Sequence, residues 1–322
     1  MNHANKDSLQ LVWDVHAERL VSCGDCHYAS DRPERLAGKA TPANVIPSEG
    51  ILRRCESCHD LSGTHDWLPE KVRHFNAVAC ESCHVPRLEM GARKSIDKTV
   101  LQTDGSPLIS YRGIDDSSLA DLSMAYITGY QPLLRVGKSA LGKNQVQPYN
   151  LVTEWFWTDG DSHTPVDEAQ LRAAWLVDGS YPADIMETFD TDGNGQLDRQ
   201  ELHLDNNIKL MLITERLRGA GVRNPRGHGE VRAYHIHHNI RHGTRVNRDC
   251  NVCHADKVDT LPAFELAPHV PGMVKPLLLQ DTTAIVLDGS WETLPDGSLQ
   301  FVPGRSVAKS WQSQENTIRS EP

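Results

Sequence analysis

The eight cysteines of this chain occur only as pairs spaced by two residues, and a histidine follows each second cysteine: Cys23, Cys26 and His27; Cys55, Cys58 and His59; Cys80, Cys83 and His84; Cys250, Cys253 and His254. Two thiols at that spacing can each form a thioether to one porphyrin edge, and the imidazole that follows then stands beneath the iron as an axial ligand. Cys-x-x-Cys units also bind zinc, act as redox dithiols or close disulfides. None of those chemistries calls for a histidine after every second cysteine, so the motifs predict four covalently attached haem c groups.

A closed iron needs a second strong ligand, and the chain carries 16 histidines in all. His16, His74 and His242 stand seven, six and eight residues before Cys23, Cys80 and Cys250, a crude internal repeat. No histidine lies between His27 and Cys55, which leaves His65, just after the second motif, as the fourth member of the distal set. The run "YHIHHNIRH" offers His235, His237 and His238 as alternatives; on a helix His235, His238 and His242 would share one face. His3, His163, His203, His228 and His269 are expected outside the iron shell. A distal histidine need not serve the haem nearest to it in sequence.

A second motif, "DTDGNGQLDRQE" at 190–201, fits the EF-hand pattern for one calcium ion at every specified place. Asp190, Asp192 and Asn194 bring side-chain oxygens, Gly195 permits the sharp turn and Gln196 offers its backbone carbonyl. Asp198 can act directly or through water, and Glu201 can bind bidentately. The chain has no second loop of this kind, which favours a structural calcium over a sensor.

The elements that must position these groups read as mostly helical. "YPADIMETF" puts Ile185, Met186 and Phe189 on one face, and "LHLDNNIKLMLITERLRGAG" carries Ile208, Met211 and Leu212 at helical spacing before stopping at Gly219. "TPVDEAQLRAAWLV" predicts a helix capped by Thr164 with Pro165 in its first turn. "TTAIVLDGSWETLPDGSLQFV" alternates between Asp-Gly turns and predicts two or three short strands, while the tail "GRSVAKSWQSQENTIRSEP" reads as polar and loose or as a tether. The fold class expected is therefore mainly α with long loops, organised around four covalent haems, with little β, mostly near the C-terminus. The division expected is a three-haem region at 1–100, a loop-rich connection at 101–160, a helical EF-hand module at 161–225, a fourth-haem segment at 226–270, and short strands with a loose tail at 271–322. The second and third motifs begin 25 residues apart, too close for separate domains, so their haems should exchange electrons rapidly; the fourth begins 170 residues after the third and must be folded back to the group.

Composition agrees with a core built partly of porphyrin: 6% of residues are aromatic, and the mean hydropathy is -0.48. The formal charge of -10 excludes an ordinary nucleic-acid partner and suits redox proteins with basic docking faces, among them a membrane-bound quinone-linked or haem-containing partner. The most apolar run, "IKLMLI" at 208–213, is too short to span a bilayer. Haem is attached outside the cytoplasm, so the chain is expected in the periplasm or outside the cell, although "MNHANKDSLQLVW" lacks the pattern of a signal peptide.

"KVRHFNAVACESCHVPRLEMGARKSIDKT" and "VQPYNLVTEWFW" resemble octahaem tetrathionate-reductase-type cytochromes, over about residues 50–160. The resemblance implies that His84 is a proximal and His74 a distal ligand. This chain has half the haem motifs of that family, and the lysine-ligated catalytic haem cannot be placed on it, so reductase activity does not carry over. The leading expectation is an electron carrier with bis-histidine haems. One alternative is an oxidoreductase in which an open haem acts on a small sulfur or nitrogen oxyanion, assisted by Arg87, Arg93 or Lys94. Another is a subunit of an extracellular haem filament, an oligomer of this chain.

Overall fold

The computed structural model of the chain describes residues 14–26, 54–115, 126–139, 142–160, 164–255, 262–279 and 285–320. The architecture is mixed: helix and strand contribute in near-equal measure, which overturns the expectation of a mainly α fold with little β. The strands β1 (Ala92–Asp97), β2 (Leu108–Arg112), β3 (Leu133–Lys138), β4 (Asn144–Asp159), β5 (Pro225–His235) and β7 (Leu277–Leu278) form one six-stranded mixed sheet. A smaller three-stranded sheet joins β6 (Phe264–Ala267), β9 (Leu299–Pro303) and β8 (Gly289–Thr293) in that order.

The organiser is β4, 16 residues long. Its first half pairs antiparallel with β3 from Leu133↔Tyr149 to Lys138↔Asn144, its second half pairs parallel with β1, and β5 runs antiparallel along its other edge from Tyr149↔His235 to Asp159↔Pro225. Residues 101–160 thus supply three strands of the main sheet, where a loop-rich connection was expected. Both faces of β4 are covered, so its residues read as a nearly unbroken buried run. On one face Tyr149, Leu151 and Trp155, with Val231 and Ala233 of β5, pack on Phe264, Leu266 and Phe301 of the small sheet.

A second core sits beside the sheet. Helices α6 (Glu168–Trp175), α7 (Ala183–Phe189) and α8 (Asn207–Gly219) bury Trp175, Ile185, Phe189, Ile213 and Leu217 against Val100, Leu101, Leu108 and Trp157. The indoles of Trp157 and Trp175 both donate to the carbonyl of Thr99, at 2.9 and 3.1 Å, so two large rings enter the core without an unpaired N–H. Asp167, not Thr164, caps α6 by accepting from the Ala169 amide. Helix α8 ends at Gly219 as expected, but Ile208 and Met211 face solvent. Its buried face is Lys209, Ile213 and Leu217, because the Lys209 ammonium is taken up by the carbonyls of Glu201 and His203.

The haem motifs lie on short pieces: α2 (Cys23–Cys26), a turn of 3-10 helix at Cys55–Ser57, α5 (Cys80–His84) and α9 (Asn251–His254). Near them are α1 (Val15–Glu18), α3 (Leu61–Thr64) and α4 (Lys71–Ala77). The hairpin β8–β9 agrees with the strands expected near the C-terminus. The tail after it is not loose at its start: α10 (Val307–Ser320) buries Val307 and Ser310 and lays Trp311 against β4 through the Asn144 carbonyl. "YHIHHNIRH" is no helix; β5 ends at His235 and the chain continues in irregular backbone, so His235, His238 and His242 share no helical face.

Candidate haem centre and calcium loop

Among the described residues, three pairs of histidine rings meet across the motifs. The rings of His16 and His59 have centres 5.9 Å apart, those of His65 and His84 6.2 Å, and those of His74 and His254 6.2 Å, each pair edge to face. An imidazole nitrogen bonds a transition metal at about 2 Å and lies roughly 1 Å from its own ring centre, so two rings on opposite sides of one iron have centres about 6 Å apart. Three histidines singled out as distal candidates therefore stand opposite a motif histidine, and in no case is it that of the motif each one precedes or, for His65, follows. His16 faces the second motif, His65 the third and His74 the fourth.

The ring orientations are held from behind. His16 Nδ1 donates to Asp14 Oδ1 at 3.2 Å, His65 Nδ1 to the Leu61 carbonyl at 3.1 Å, His74 Nδ1 to the Glu70 carbonyl at 3.3 Å, and His84 Nδ1 to the Arg241 carbonyl at 2.9 Å. A proton fixed on Nδ1 leaves the Nε2 lone pair to point at a metal, the tautomer that an axial ligand needs. Asp14 is a group that motif spacing did not single out, although a carboxylate two residues before a ligand was its available signal. It is buried, and its other oxygen accepts the amides of Asn239 and Ile240 at 3.0 and 2.9 Å. One stretch, 239–241, thereby positions both His16 and His84.

The scaffold carries the third motif firmly. The Ala79 amide and the Ser82 hydroxyl both donate to the carbonyl of Val146 on β4, at 2.9 Å each, which seats α5 on the sheet. The amides of Arg241 and Asn247 donate to the carbonyls of His84 and Cys83, bringing the segment before the fourth motif against the third. The Cys55 and Cys80 thiols lie near enough to influence one another's protonation, as do Cys83 and the thiols of Cys250 and Cys253. The third motif is thus the middle of a group of three.

The surroundings fit a porphyrin. Each of the seven cysteines from Cys26 to Cys253 is unbridged. Burial pushes the Cys83 thiol up and the Cys253 thiol up to about 12. Leu20, Val21, Trp67, Val72 and Val252, all within the haem segments, leave large apolar surface uncovered, which a macrocycle would bury. His27 lies outside the described residues, as do His3 and His163. His242 is exposed, His238 half-buried, and His235 and His237 lie against each other with ring centres 3.9 Å apart.

The cations once considered for an oxyanion are otherwise occupied, apart from the exposed Arg93. Lys94 is buried in an ion pair with Glu265 at 2.7 Å, and Arg87 donates to the carbonyls of Thr128 and Gly129.

The loop at 190–201 is closed on itself by its acids. Asp190 accepts the amides of Gly193, Asn194 and Gly195, while Glu201 reaches back to the amides of Thr191 and Asp198. Those amides hold the Glu201 carboxyl below the usual range. Gly193 and Gly195 take φ of 72° and 78°, the left-handed backbone that glycine adopts without strain. Oxygens of Asp190, Asp192 and Glu201 converge within 4.8 Å of one another. Asp192 also accepts from the Asn194 side chain, Asn194 accepts the Gln196 amide, and Asp198 accepts the amides of Gln200 and Glu201. The second helix of an EF-hand does not follow directly: turns at 199–202 and irregular backbone at 203–206 precede α8. Three clustered carboxylates repel unless a cation joins them, so the donor set suits a hard divalent ion.

No family model matches the chain, and no curated protein matches it. Among solved structures it is similar to the crystal structure of octaheme cytochrome c from Shewanella oneidensis, at 14% identity and a TM-score of 0.42, over 75% of this chain and 57% of that one. The chain therefore spans little more than half the length of the structure it matches.

Proposed function

We propose that the chain is a tetrahaem c-type cytochrome, periplasmic or extracellular, that carries electrons between redox partners through haems closed on both sides by histidine. The observation that carries this reading is the set of three ring pairs about 6 Å apart, each joining a motif histidine to a histidine from elsewhere in the chain. Bound haem supplies a one-electron couple. The chain's part is to anchor it through Cys55 and Cys58, Cys80 and Cys83, Cys250 and Cys253, to hold it between His59 and His16, His84 and His65, His254 and His74, and to fix those rings through Nδ1. Cys23, Cys26 and His27 supply the fourth anchorage. The nearness of Cys80 to Cys55 and of Cys83 to the fourth motif favours a path through the second, third and fourth sites in that order.

One calcium in the loop of Asp190, Asp192, Asn194, Gln196, Asp198 and Glu201 completes the proposal. It ties α7 to α8, because Lys209 grips the carbonyl of Glu201 at 2.8 Å. The acidic charge favours partners with basic docking faces, soluble or membrane-bound and quinone-linked. The occupied state of Lys94 and Arg87 weighs against the oxyanion reading.

The test is the optical spectrum of the dithionite-reduced protein with and without carbon monoxide, with haem counted as the pyridine haemochrome. Four haems per chain and no carbon monoxide shift are expected. A shift amounting to one haem overturns the closed-haem part, and fewer than four haems overturns the tetrahaem assignment.

A further inference from the structure

A group of side chains beside the third haem motif, two of them histidines first offered as alternative iron ligands, takes no part in the three ring pairs. At the end of β5 the chain is extended through His235, Ile236 and His237, so the two histidines project to one side and Ile236 to the other. Ile236 is buried and its amide is pinned to the Pro148 carbonyl of β4 at 3.0 Å, which fixes that sidedness. Facing them is Glu81 of α5, whose carboxylate oxygen lies 3.2 Å from His237 Nδ1. Ligating atoms of Glu81, His235 and His237 all lie within 4.8 Å of one another.

Two features separate this group from an ordinary surface ion pair. His235 Nε2 is buried with no hydrogen-bond partner, a cost that a native structure usually relieves with a bonded group. The site also has an open side: the His237 side chain is 40% exposed and that of Glu81 16%, so an ion from solvent can enter without unfolding anything. Burial alone would push Glu81 up, yet the hydrogen bond from His237 and the fields of both imidazoles hold its carboxyl below the usual range. His235 is drawn down to about 3 by burial, so at neutral pH its lone pair is available.

We propose that Glu81, His235 and His237 form a binding site for one divalent transition-metal ion, outside any haem. Two imidazoles and one carboxylate, with remaining positions open to water, are a donor set for borderline ions such as Zn2+ rather than for Ca2+ or Mg2+. The ion would couple β5 to α5, and because Glu81 directly follows Cys80 in sequence its charge would lie beside the third haem attachment.

The experiment uses the full holoprotein with its haems, in saturating calcium, and zinc chloride as the probe. Zinc is counted by elemental analysis after gel filtration and its affinity read by titration calorimetry. One zinc per chain is expected, with affinity falling at least tenfold in His237→Gln and in Glu81→Gln and unchanged in Glu201→Gln. Both loss variants alter surface-accessible groups, and each should keep four low-spin haems. No zinc, or zinc binding indifferent to His237 and Glu81, overturns the proposal. Conversion of one haem to high spin in His237→Gln also overturns it, since the histidine is then an iron ligand; that result leaves the electron-carrier reading intact, because zinc and haem are counted separately.

Discussion

The helical region around α6–α8 and the region of the haem motifs solve the same problem by different means. The first buries Trp175, Phe189, Ile185, Ile213 and Leu217 completely and closes its own core. The second is built of helices of four to seven residues, with Leu20 91% and Val72 76% exposed. Helices that short do not stand alone in water, and their stability has to come from what they pack on. The contrast separates a region whose polypeptide closes its own apolar interior from one that leaves apolar surface uncovered.

The largest effect that tests this contrast is loss of the central anchor. Cys80→Ala with Cys83→Ala should lower the haemochrome count from four to three and open residues 54–84 to proteolysis, while 164–222 stays resistant; equal cleavage of both regions would erase the distinction. Next, Phe189→Ala should destabilise the helical core by about 3–5 kcal/mol, the usual cost of removing a buried ring, with haem spectra unchanged. A spectral change would mean that the regions share one core.

Third, His74→Ala should turn one haem high-spin, and that haem should be the fourth: in a protein already lacking Cys250 and Cys253 the same substitution should add no further spectral change. An unaltered low-spin spectrum of His74→Ala in the otherwise intact protein would break the pairing. Fourth, removal of calcium by a chelator should lower the stability of the helical region by about 2.7 kcal/mol when free calcium had stood at 100 times Kd, read as a lower thermal midpoint, and Glu201→Gln should abolish that difference. The smallest effect belongs to the sheet between the regions. Burial raises the Asp97 carboxyl to about 6 despite two bonds from Thr99. Between the ordinary carboxylate value and about 6 the folded chain holds a proton that the unfolded chain has lost, so this stability is present at low pH and declines as pH rises through 6. Stability measured against pH in Asp97→Asn should lack that decline.

The proposed haem chemistry was legible because attachment is local: one macrocycle would span a five-residue motif, and no tertiary contact is needed to write it. The acidic loop at 190–201 was legible as a loop for the same reason. The sheet was not. Strand β4 hides in "NQVQPYNLVTEWFWTD", where Pro148 argues against an interior strand and the buried Asn150 and Thr153 bond the carbonyls of Arg93 and Leu266, far away in sequence. Residues covered on both faces lose the alternation that marks a half-buried strand. Likewise α8 misled by its apolar residues, because the buried Lys209 finds carbonyls that only the folded loop presents.

The sequence by itself determined the number of Cys-x-x-Cys-His motifs, the set of histidines from which three opposing rings are drawn, and the order of oxygens along the acidic loop. Tertiary structure decided which histidine faces which. Distance along the chain pointed each candidate at its neighbouring motif, but an imidazole can approach only a site that its backbone can reach across the fold. The 239–241 stretch, held against Asp14 and His84, and the Val146 carbonyl under α5 are what set that reach. The placing of Glu81 opposite His235 and His237, 154 and 156 residues away, is likewise a property of how β5 ends against α5, and no spacing rule contains it.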